Sequence, residues 1–86
     1  MKLDIKGEGI KPFKLEVKEF NLDERLELNK YLYQFFNNKE GMFGSAVDIV
    51  RLATDLSDEE INDMSNNVIF QIAITVSNYI NKSKKK

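Results

Sequence analysis

Cysteine and histidine are both missing from this 86-residue chain. Without cysteine there is no disulfide, no thiolate nucleophile and no sulfur-ligated metal or iron–sulfur cluster. Without histidine the commonest general base and metal ligand is gone. Ser–His and Cys–His mechanisms are therefore excluded. No apolar run approaches the roughly 18 residues that a membrane-spanning helix needs. The N-terminal stretch MKLDIKGEGIK alternates apolar and charged residues, which is not a signal peptide pattern. The expectation is a soluble, intracellular, cytoplasmic protein. Only carboxylates, lysines, hydroxyls and backbone groups remain for chemistry. That points to a binding or assembly protein rather than an enzyme, with no cofactor.

What is present is one small domain's worth of sequence. At 42% hydrophobic and 31% charged, it is too apolar for disorder and too charged for a membrane protein. The net charge of −1 conceals an asymmetry. Residues 1–20 are slightly basic, residues 21–81 carry ten acids against four bases, and residues 82–86 hold four lysines. Asp55, Asp58, Glu59, Glu60 and Asp63 concentrate the acidity. Such a body repels phosphates, which argues against nucleic acid as a partner.

Hydrophobic periodicity divides the chain into elements. Leu3 and Ile5 alternate with Lys2, Asp4 and Lys6, and Phe13, Leu15 and Val17 alternate with Lys14, Glu16 and Lys18. Both have the period of two expected for half-buried strands. Gly7-Glu8-Gly9 between them signals a turn, so an antiparallel hairpin over about residues 2–18 is expected. Pro12, lacking an N–H, suits a strand start or an edge. A hairpin alone is marginal in water and must pack on something.

Asn21 then offers an N-cap, and Asp23 and Glu24 favour the positive end of a helix dipole. That helix is expected from Leu22 to about Asn37, followed by a loop over 38–44 and a second helix over Ser45 to Thr54. Ser57-Asp58-Glu59-Glu60 has capping-box spacing for a short helix over 58–64. Ser65 can cap a last helix over about 66–82. There Val68, Ile69, Ile72, Ala73, Val76, Tyr79 and Ile80 form one apolar stripe at helical period. The expected architecture is α+β: a hairpin packed on three to four α-helices as a single domain over 1–81, with 82–86 a flexible basic tail.

Motifs that carry chemistry are weak. Gly7-x-Gly9 lacks the third glycine and the strand–helix context of a dinucleotide site, and Gly41-Met42-Phe43-Gly44 lacks the Lys-Ser/Thr of a phosphate loop. The acidic cluster lacks the spaced oxygens of a calcium loop, and helix capping accounts for much of it. Nothing in the pattern predicts a cleft for paired carboxylates.

The helices, by contrast, carry apolar residues on more than one face. In the first, Leu22, Leu26, Leu32, Tyr33 and Phe36 make one arc, which Leu28, Tyr31 and Phe35 extend past a half-turn. Asp23, Glu27, Lys30 and Gln34 are its only continuous polar strip. In the last helix Phe70 and Ile74 fall outside the main stripe. A small domain buries only about 60% of its chain surface, which leaves limited room for so many apolar groups. Either both faces of each helix are internal, or Leu28, Tyr31, Phe35, Phe70 and Ile74 form a partner-binding surface of the kind that aromatic anchors build.

A larger pattern emerges from the order of these segments. A lysine-rich strand pair leads into Phe20-Asn21-Leu22-Asp23-Glu24-Arg25-Leu26. An apolar helix then ends in Val50-Arg51-Leu52-Ala53-Thr54. The acidic start Leu56-Ser57-Asp58-Glu59-Glu60-Ile61 precedes a final apolar helix closing in lysines. Over roughly residues 13–82 this resembles the small tail assembly chaperones of long-tailed bacteriophages. The resemblance implies a non-enzymatic protein of the host cytoplasm. It would coat the hydrophobic, helical tape measure protein until tail tube subunits replace it. Self-association is a separate expectation from the apolar surface. Two alternatives stay open: a structural virion or adaptor subunit of an oligomeric assembly, and a small nucleic-acid-binding regulator using its lysines.

Overall fold

A computed structural model describes residues 1–84, with side chains to residue 81. It has the expected α+β architecture, with an N-terminal antiparallel hairpin followed by four helices. The strands are β1 (Lys2–Gly7) and β2 (Ile10–Glu16). The helices are α1 (Leu22–Asn37), α2 (Met42–Ala53), α3 (Asp58–Asn62) and α4 (Asn66–Lys84).

The hairpin is built by cross-strand pairs that sort by chemistry. Leu3 faces Leu15 and Ile5 faces Phe13, while Lys2 faces Glu16 and Asp4 faces Lys14. One face is thus apolar and the other charge-paired, which fixes the register because a one-residue slip would invert both. The register shifts between Ile5 and Gly7, where Lys11 and Pro12 together stand opposite Lys6. Pro12 therefore sits at an irregularity in the ladder, where a missing N–H costs least. Gly9 closes the turn with φ 76°, a left-handed conformation that glycine adopts without a Cβ clash. The Asn67 amide of α4 donates to the Glu8 carbonyl at 3.1 Å and ties the turn to the last helix.

The caps are those the sequence suggests. The Asn21 side chain accepts from the Glu24 N–H at 2.9 Å, and the Glu24 carboxylate accepts from the Asn21 N–H at 3.1 Å. Ser57 and Glu60 form the same reciprocal box at α3. The Ser65 hydroxyl accepts from the Val68 N–H at 3.2 Å at the head of α4. Two helix boundaries differ from expectation. α2 begins at Met42, so the anticipated loop is three residues shorter, and Gly44 lies inside the first turn. The backbone of α4 continues to Lys84, so the anticipated tail is helical over its first residues. Lys85 and Lys86 lie outside the described residues.

The core joins every element except the loops. Ile5, Leu15 and Val17 of the hairpin segment meet Leu28, Leu32 and Phe35 of α1. They also meet Ala46, Ile49, Val50 and Ala53 of α2, Ile61 of α3, and Ile69, Ile72, Ala73, Val76 and Ile80 of α4. α2 packs between α1 and α4, and β1 packs on α4. The Lys18 N–H donates to the Ala53 carbonyl at 2.9 Å, which joins the exit of the hairpin to the end of α2. Thr54 is buried, but its hydroxyl donates to the Val50 carbonyl and accepts from the Leu56 N–H, so no polar cost remains. Among the described residues no helix is long and apolar enough to cross a membrane.

Candidate functional site: an exposed apolar face on the first helix

The apolar arcs of α1 are divided by its packing on α2. Leu28, Leu32 and Phe35 point into the core with Leu28 fully buried and Phe35 at 3% exposure, and Tyr31 lies half-buried beside them. Leu28 and Phe35 are therefore core residues and not part of a free surface, which corrects the expectation placed on them. The opposite arc is the open one. Leu22, Leu26, Tyr33 and Phe36 are 68%, 60%, 70% and 57% exposed. At about 100° per residue these four, with Asn29 among them, occupy roughly 80° of the helix circumference.

Both arcs have helical spacing in the sequence. Leu28, Tyr31, Leu32 and Phe35 follow the i, i+3, i+4, i+7 spacing of a core-facing helix. Leu22, Leu26, Asn29, Tyr33 and Phe36 are spaced alternately four and three residues apart, the heptad spacing of a helix–helix seam. Grouping Leu32 with Tyr33 and Phe36 merges these arcs and inverts the outcome.

At the C-terminal end of α1 the exposed stripe meets an aromatic chain. The Phe35 and Phe36 rings lie 5.0 Å apart edge to face. Phe70 lies 6.0 Å from Phe35 and 6.0 Å from Phe43. These separations fall within the attractive range for aromatic pairs. Phe35 is enclosed in the middle of the chain, whereas Phe36 and Phe43 (42% exposed) are its open ends. Phe70 is half-buried, and Ile74, one turn further along α4, is 36% exposed. Beyond Phe43 a shallow hollow runs over Val47, Ile61, Met64 and Ile69, with Arg51 and Asp58 on its lining.

The acidic segment is engaged locally. Arg51 Nε donates to Asp58 Oδ1 at 2.9 Å, Lys18 Nζ lies 3.1 Å from Asp55 Oδ1, and Glu60 serves the α3 cap. Among the described residues no three acidic side chains converge as a metal site would require. The titration of Tyr31 is shifted. Burial, and then the negative charges of Glu27 and Asp48, raise its pKa above the ordinary 10.0. Its hydroxyl makes a long 3.5 Å contact with the Glu27 carboxylate.

The chemistry on offer is thus contact chemistry: a stripe of leucines and aromatic rings on one helix, continued by phenylalanines at its end. Comparisons with protein-family models, with curated proteins and with solved structures return no match to this chain.

Proposed function

We propose that this protein is a non-enzymatic chaperone that shields a hydrophobic, helical client by laying it along the exposed face of α1. The observation that carries the reading is the stripe Leu22, Leu26, Tyr33 and Phe36, four large apolar groups left in water by a domain whose core is otherwise complete. An amphipathic client helix fits such a face through leucine and aromatic anchors. The aromatic end around Phe36, Phe43 and Phe70, with Ile74 beside it, would take the client's bulkier side chains. Tyr31 borders the core side of the helix and contributes least. The resemblance to phage tail assembly chaperones makes the tape measure protein the client in this reading, bound in the host cytoplasm before the tail tube polymerises. The acidic body, residues 21–81, would keep a coated client soluble by charge.

The test uses a synthetic amphipathic helical peptide with leucine and alanine on one face. The intact chain should bind it and suppress its aggregation in light scattering. Leu26→Asp and Tyr33→Asp should each abolish both effects with the circular dichroism spectrum unchanged. Undiminished binding by both variants rules the reading out. Phe35→Asp is no test, because it places a charge in the core.

A further inference from the structure

We infer that the Leu22–Tyr33 part of the α1 stripe is covered by the same segment of a second copy, antiparallel about a two-fold axis. The inference rests on the stripe's own spacing and charges and stands apart from the client reading. Leu22, Leu26, Asn29, Tyr33 and Phe36 fall on alternate a and d positions of a heptad. That places Asp23 and Lys30 on the flank away from the body, and Arg25 and Leu32 on the flank toward it. Asp23 and Lys30 are exposed, and among the described residues neither has an ion-pair partner within the chain.

Orientation follows from these charges. In a parallel pair Arg25 of one copy would meet Lys30 of the other, and the repulsion would occur twice. In an antiparallel pair Leu22 packs against Tyr33 of the second copy and Leu26 against its Asn29. Asp23 then faces Lys30 across the outer flank, again twice by symmetry. A two-fold contact of this kind is self-complementary and closes, so it yields a dimer rather than a fibre. Its strength is bounded. α1 has 16 residues and a length of about 24 Å. A single such seam with a polar Asn29 lies below the roughly 1,200 Å² of stable interfaces. The dimer is therefore reversible.

Sedimentation equilibrium of the intact chain over micromolar to millimolar concentrations should show a monomer–dimer equilibrium. Leu26→Asp should remain monomeric throughout with its circular dichroism unchanged. Lys30→Asp should weaken the dimer about tenfold at low salt, and adding Asp23→Lys should restore it. The cysteine-free background allows orientation to be read directly. Leu22→Cys mixed with Tyr33→Cys should give a mixed disulfide, and neither variant alone should cross-link. A monomer at every concentration overturns the inference, as does a dimer that survives Leu26→Asp. Cross-linking of the Leu22→Cys variant to itself, or a dimer without the mixed disulfide, overturns the antiparallel register. Client-peptide binding by a strictly monomeric wild type would leave the chaperone reading standing while this one falls.

Discussion

Tyr31 is held with its ring against the body and its hydroxyl near two carboxylates, and that environment favours the neutral phenol. A pKa raised in the folded state means that folding favours the protonated form. The associated stabilisation is complete below about pH 10, the unfolded value, and is lost as pH rises through the higher folded value. The ring carbon resonances of Tyr31 should therefore titrate above about 10. Glu27→Gln, which removes that carboxylate's charge while keeping an acceptor oxygen, should move the midpoint down toward that ordinary value. Ionisation at the ordinary value in both proteins would contradict this placement of the ring. The neighbouring Tyr33, two residues on, lies on the exposed arc, so nearby tyrosines of one helix serve opposite surfaces.

Among the elements, α2 departs most from what its sequence suggests, and Gly44 marks the reason. Glycine is a poor helix former, and two glycines with Met42 and Phe43 between them read as a loop. Tertiary packing overrides that preference: Ala46, Ile49, Val50 and Ala53 bury one face against both α1 and α4, and the helix extends back to reach Gly41. A Cβ at Gly44 would meet nothing within 4 Å. Gly44→Ala should accordingly raise stability by about 0.5–1 kcal/mol in urea denaturation, by relieving the entropy that glycine loses in a helix. A destabilised variant would show that the first turn is not helical in solution. The hairpin and the capped starts of α1 and α3 are readable because their signals are local: alternation, a glycine turn, and acceptors three residues from their donors. The face of α1 is not readable from a wheel alone, because both arcs are apolar and only the position of α2 decides which is covered.

For the molecule as a whole, two apolar populations should respond differently to truncation. Ile72 is fully buried at the centre of the core, and Ile72→Ala should cost about 2–5 kcal/mol. Leu26, equally apolar but 60% exposed, should change monomer stability by no more than about 0.5 kcal/mol when replaced by alanine. Thermal denaturation at low protein concentration measures both, and comparable losses would mean that the stripe is internal. Contact between the first strand and the last helix has a separate consequence for biosynthesis. The hairpin's greasy side packs on α4, which leaves the ribosome after α1, α2 and α3, and its turn is clasped there by Asn67. Until that helix emerges the nascent strands lack part of their cover, which leaves the hairpin vulnerable to sticking in the interval.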